Sequence, residues 1–111
     1  MSQLFAPIQL RELRLANRVV VSPMCEYSAV DGVAQSWHTV HLGQLALASA
    51  GLLMFEATAV EPAGRITPGC LGLYDEATEA ALANVIGTLR DLNPRVHVPL
   101  SRAATMSFPT M

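Results

Sequence analysis

Two short segments of this chain concentrate side chains that can do chemistry. Ser22-Pro23-Met24-Cys25-Glu26-Tyr27-Ser28 places a soft thiol two residues from a phenol, behind a proline and a thioether. Glu56-Ala57-Thr58-Ala59-Val60-Glu61-Pro62 places a carboxylate beside small side chains. A thiol, a phenol and a ring-facing Met or Pro at one rim suit a flat aromatic cofactor with a small polar substrate over it. Each also has a plainer use, Cys25 as a small buried hydrophobe and Tyr27 as a rim anchor. His38 and His41 stand three apart on a predicted helix, a spacing that can put two imidazoles on one face. No Glu follows His38 in zincin order and no third ligand is evident, so hydrogen bonding to loops is the better reading and no metal is expected. Glu56 reads as a base or as the buried partner of an arginine such as Arg18 or Arg65. The paired reading is preferred, because an unpaired buried carboxylate is costly. No Gly-x-Gly-x-x-Gly follows the first strand, and neither a P-loop nor a serine nucleophile elbow is present. Cys25 and Cys70 fit neither a zinc pattern nor a redox pair, and spacing alone leaves a disulfide between them open.

The elements that must carry these segments can be read from periodicity. Ile8-Gln9-Leu10 and Leu13-Arg14-Leu15 alternate apolar and polar residues around Arg11-Glu12, which predicts a short β-hairpin. Arg18-Val19-Val20-Val21-Ser22 is a β-branched run without alternation, stopped by Pro23, and predicts a parallel strand buried on both faces. Asp31-Gly32 supplies turn chemistry. Ser36 is positioned to cap a helix from Trp37, with Leu42, Leu45, Ala46 and Ser49 along one face and Gly51 ending it. Leu52-Leu53-Met54-Phe55 is a second strand. Glu61 to Tyr74 is loop-like. Asp75 caps a second helix on which Ala81, Leu82, Val85, Ile86, Leu89 and Leu92 recur at helical period. Asn93-Pro94 stops it, and Val96-His97-Val98 can open a third strand.

This order is βαβαβ, hence an α/β fold with a parallel sheet and right-handed crossovers. In such folds ligands bind beyond the C-terminal ends of the strands, which is where both chemical segments fall. Successive units take about 34 and 43 residues, so eight would need roughly 270 to 340, the scale of a (β/α)₈ barrel. The 111 residues hold two to three such units. Composition agrees with a piece of a larger interior: 51% of residues are hydrophobic and only 14% charged, against about 25% charged in an average domain. All seven cations are arginine and the net charge is -2. That balance gives no footprint for nucleic acid or anionic lipid. The apolar run from Leu42 to Phe55 is too short for a membrane span. The N-terminus lacks the basic and apolar regions of a secretion signal, so a cytosolic protein is expected.

Several motifs together make the chain similar to a known family. These are Leu4-Phe5, Asn17-Arg18, Pro23-Met24-Cys25-x-Tyr27, Trp37-His38-x-x-His41, Gly51-Leu52-Leu53 and Glu56-Ala57-Thr58-Ala59-Val60. Pro62-x-Gly64-Arg65-Ile66-Thr67-Pro68-Gly69 and Gly72-Leu73-Tyr74 continue the likeness. Over about residues 3 to 94 the chain resembles the N-terminal third of the Old Yellow Enzyme family, in its thermophilic-like or xenobiotic-reductase subclass. These are NAD(P)H-dependent flavin oxidoreductases on an FMN-binding TIM barrel. The resemblance implies that Pro23, Met24 and Cys25 pack along the isoalloxazine, with the Cys25 thiol near its N5/O4 edge. It implies that Ala57 meets the flavin through its backbone, and that Tyr27 hydrogen-bonds the activating group of an electron-poor alkene. Reduced flavin then passes hydride to the β-carbon. A homo-oligomer is expected of the full-length enzyme. Residues 95–111 depart from the family, where a Gln and a His-Ala-Gly-Arg-Lys-like turn would stand. Codons for Ser101 to Met106 can spell Ala-Gly-Arg and then Asn-His in another frame, so this tail is expected to be frameshifted or truncated. A chain of this length on its own is expected to show little or no turnover.

Overall fold

The computed structural model describes residues 2–99 and the backbone of Ser101–Arg102. The hairpin forms where alternation placed it. Strands β1 (Ile8–Leu10) and β2 (Leu13–Leu15) pair antiparallel, with Ile8 opposite Leu15. Arg11 takes the left-handed conformation the turn needs, and Leu15 is the hairpin residue that reaches the interior.

The first crossover is also as predicted. Strand β3 (Val20–Val21) runs into helix α1 (Ser36–Leu47) and returns as β4 (Leu52–Leu53), which lies parallel to β3 with Val20 opposite Leu52. The helix starts one residue earlier than expected, with Gln35 rather than Ser36 at the cap. The Gln35 N–H donates to His38 Nδ1 at 2.9 Å, so the imidazole supplies the acceptor that a carboxylate supplies in the usual capping box. The chain then turns through Ser49 at φ 68. Asn17 locks this corner. Its Oδ1 accepts from Gly51 N–H at 2.8 Å and Val19 N–H at 3.0 Å, while its Nδ2 donates to the Ser49 carbonyl at 2.7 Å. Gly51 must be glycine here, because a Cβ would sit 2.5 Å from the Asn17 carbonyl oxygen.

The second strand is longer than its apolar run and bends. After β4 the ladder resumes as β5 (Ala57–Ala59), which pairs in parallel with β6 (Leu71–Gly72) on one side and β7 (Ser101–Arg102) on the other. The loop reading of Glu61 to Tyr74 therefore missed a strand, too short and glycine-rich to show periodicity. The third strand opens at His97, bridged in parallel to Leu52, and Phe55 N–H reaches the Pro99 carbonyl at 3.1 Å. Of the tail set apart as divergent, Ser101–Arg102 thus continues the parallel sheet. Leu100 and residues 103–111 lie outside the described residues.

Helix α2 (Glu76–Leu92) begins at Asp75, whose carboxylate accepts from Thr78 N–H at 2.8 Å. Thr78 is fully buried, and its Oγ1 accepts from the Tyr74 and Asp75 N–H groups. Leu82, Val85 and Leu89 of α2 and Leu42 and Ala46 of α1 pack over Leu53, Phe55 and Leu71 to form the core. Burying each such Leu, Val or Phe contributes about 1.5–3 kcal/mol. One expectation about burial is corrected. Val21 is partly covered where it packs against the core, and Val20, on the opposite face of β3, is 48% exposed because no described residue packs fully over that face.

Candidate functional site

Beyond the C-terminal end of β3 the chain runs through Pro23 and Met24, both exposed, to Cys25, which is half-buried, and Tyr27, which is 61% exposed. Beyond β4, Glu56 is buried and Ala57, half-buried, opens β5. The two segments meet. Burial raises the Cys25 thiol above its ordinary value, against an opposing pull from the nearby Ala57 backbone and with Glu56, Cys70 and Glu26 adding to the rise. Cys25 is therefore a thiol at neutral pH. Both cysteines are free, and Cys70 is buried, its sulfur accepting from Thr67 N–H at 3.3 Å.

Tyr27 adopts φ 53, an uncommon conformation for a side chain of its size. Two contacts fix it. The next residues are tied down by Ala29 N–H donating to the Gly69 carbonyl at 3.0 Å. Gly69 itself lies so close that a Cβ there would stand 2.4 Å from the Tyr27 carbonyl oxygen. The phenol is turned outward rather than into the core.

Two histidine–carboxylate pairs lie beneath this turn. His41 Nε2 is 2.9 Å from Glu26 Oε1, and the imidazole stacks on Trp37 with ring centroids 5.7 Å apart and an interplanar angle of 7°. His38 is fully buried, with Nε2 3.9 Å from Glu56 Oε2. Burial lowers the His38 pKa, although the Gln35 backbone and the Glu26 charge work the other way. Since Nδ1 accepts from Gln35, the neutral ring carries its hydrogen on Nε2, facing Glu56. Burial likewise raises the Glu56 carboxyl to about 7, against the pull of the Glu26 and Leu71 N–H groups and with a further push from the Glu26 charge. His38 Nε2 and Glu56 Oε1 have no hydrogen-bond partner among the described residues.

The arginine partner expected for Glu56 is thus replaced by His38. Arg18 reaches the Pro7 carbonyl at 3.5 Å and Arg65 the Pro62 carbonyl at 3.0 Å, both at the surface. A guanidinium stays charged and needs five donors satisfied, whereas an imidazole can enter the interior neutral. His38 and His41 each face a separate carboxylate rather than a common point. Among the described residues no three His, Cys, Asp or Glu side chains converge. Sequence reasoning passed over Glu26, although its place between Cys25 and Tyr27 was the available signal.

The residues named for a flavin have side chains chemically suited to one side of a flat ring. Met24 and Pro23 offer apolar surface, Ala57 adds no bulk, and a neutral thiol and a phenol supply the polar contacts. The family model of the NADH:flavin oxidoreductase / NADH oxidase family matches residues 3–107. The chain is 37% identical to an NADPH dehydrogenase of Geobacillus thermodenitrificans, covering 94% of this chain and 31% of that protein. It is 37% identical to an NADH:flavin oxidoreductase of Gibberella zeae, covering 92% of this chain and 25% of that one. Among solved structures, morphinone reductase aligns with a TM-score of 0.77 at 33% identity, over 87% of this chain and 25% of its own length. An Old Yellow Enzyme homologue of Zymomonas mobilis aligns with a TM-score of 0.76 at 25% identity, over 89% of this chain and 28% of its own. The chain thus spans about a quarter to a third of these proteins. It belongs to the NADH:flavin oxidoreductase / NADH oxidase family, of the Old Yellow Enzyme kind, and its strands and helices are the opening βα units of that family's TIM barrel.

Proposed function

We propose that the protein is a cytosolic FMN-dependent oxidoreductase that reduces electron-poor C=C bonds with NAD(P)H as reductant, this chain supplying the first part of the barrel and one side of the flavin site. The supporting observation is that Cys25 and Ala57 follow the C-terminal ends of two neighbouring parallel strands, with the Ala57 backbone near the Cys25 thiol and Tyr27 exposed two residues further on. Bound FMN would supply the hydride chemistry. Pro23 and Met24 would exclude water from the ring, and Ala57 would leave room for it while offering its backbone. Cys25, kept as a thiol by burial, would place one weak S–H donor at an electron-rich edge and so tune the reduction potential. Tyr27, with its phenol exposed, would hydrogen-bond the carbonyl or nitro oxygen that activates the alkene and stabilise the charge developing there. An activated alkene is the substrate class, with neither nucleic acid nor membrane as partner and a homo-oligomer as the assembly of the whole enzyme. No helix among the described residues is long and apolar enough to cross a membrane.

A second reading, a partial copy without activity of its own, is favoured by the open edge of β3 and by Val20, Met24 and Val60 left uncovered. One experiment separates the two. Residues 1–99 replace the corresponding opening segment of the Geobacillus thermodenitrificans NADPH dehydrogenase, and the chimera is assayed beside the 111-residue chain. A flavin-loaded, NADPH-oxidising chimera supports the first reading. A colourless, inactive but folded chimera overturns it. Turnover by the chain alone overturns the second.

A further inference from the structure

Glu26 sits between the thiol and the phenol of the site, yet its carboxylate points to neither. It meets His41 Nε2 at 2.9 Å, and both side chains are largely covered, at 23% and 19% exposure. His41 is itself braced by the Trp37 ring stacked on it. On the other side of the turn, Ser28 Oγ donates to the Glu26 carbonyl at 2.9 Å, and the Gly69 backbone presses on Tyr27. The Cys25–Tyr27 turn is therefore gripped at its middle residue while its last residue holds a left-handed backbone that an unconstrained tyrosine disfavours. A charge-assisted hydrogen bond from a rigid helix is the kind of contact that keeps such a turn in place. We infer that Glu26 and His41 are positioning residues, a tether from helix α1 that sets the depth of the Cys25 thiol and the outward pose of Tyr27. The assignment rests on the flavin-site reading for its functional meaning, but the tether itself can be tested without flavin.

The full chain is treated with iodoacetamide under native conditions, and the alkylation rates of Cys25 and Cys70 are read separately by peptide mass spectrometry. Buried Cys70 reports general loosening of the fold. His41→Leu and Glu26→Ala, which cut the same contact from its two ends, should each raise the Cys25 rate about fivefold, the opening expected from loss of one such bond. Cys70 should stay within about twofold of the parent. Glu26→Gln, which keeps an acceptor for His41 but removes the charge that helps hold the Cys25 pKa up, should give a Cys25 rate between those of the parent and Glu26→Ala. An unchanged Cys25 rate, an equal rise at both cysteines, or a Glu26→Gln variant as reactive as Glu26→Ala would each overturn the tether. Failure of the chimera to bind FMN would instead count against the flavin-site reading and leave this result standing.

Discussion

Glu56→Gln isolates the energetic cost of the carboxyl buried beside His38. In the folded chain burial raises that carboxyl from 4.5 to about 7, so between those values the native state holds a proton that the unfolded chain has released. Stability from this group is then fully present below about pH 4.5 and is lost as pH rises through about 7. At 1.36 kcal/mol per pKa unit, the parent should lose about 2 to 3 kcal/mol from Glu56 between pH 5 and pH 8. Glutamine has the same shape and no charge to desolvate, so the variant lacks this loss. His38 titrates in the opposite sense: its lowered pKa makes stability fall as pH drops through its unfolded value near 6.5. It is common to both proteins, as are Glu26 and His41. The difference between variant and parent therefore isolates Glu56. Urea unfolding at pH 5, 6, 7 and 8, followed by far-ultraviolet circular dichroism, gives that difference. The variant should gain on the parent by about 2 to 3 kcal/mol across the series, whatever constant offset its amide contacts introduce. A difference that stays flat with pH, or that narrows as pH rises, would refute the assignment of Glu56 as a carboxyl kept neutral by burial.

Two further substitutions test how the frame holds the site. Asn17→Ala removes three hydrogen bonds, two of which join the start of β3 to the Ser49–Gly51 turn after α1, and should cost about 2 kcal/mol in urea unfolding; a loss below about 0.5 kcal/mol would mean water replaces the side chain at no cost. Thr78→Val keeps the shape of a fully buried residue but leaves the Tyr74 and Asp75 N–H groups without their acceptor. It should destabilise the chain by about 2 kcal/mol with unchanged secondary structure, and an unchanged urea midpoint would show that those donors find other partners.

Local periodicity was enough to find the hairpin, both helices and the parallel order of the first two strands, because each rests on contacts between residues close in sequence or on a single buried stripe. It also brought Cys25 and Ala57 to one rim, since both follow strands whose C-terminal ends must lie side by side. Periodicity failed where structure depends on distant partners. Leu71–Gly72 forms a strand only because Thr58 and Ala59 offer an edge to it. The run around Val20 reads as a strand buried on both faces, yet among the described residues only the Val21 face packs against the core. The His38–Glu56 and His41–Glu26 contacts arise from how α1 lies over two strand ends, which no spacing within either segment encodes. The preference for an arginine beside Glu56 followed a sound rule about buried charge but overlooked the cheaper solution, in which both partners are neutral.

If residues up to Pro99 form a competent side of an FMN site, the chimera with the Geobacillus thermodenitrificans enzyme must hold flavin. The visible spectrum of the purified, desalted protein is recorded before and after anaerobic addition of NADPH. The chimera should carry about one FMN per chain, with bands that bleach on NADPH and return when an electron-poor alkene is added. A folded chimera that emerges colourless and takes up no FMN on titration, while the parent dehydrogenase treated identically is yellow, would contradict it.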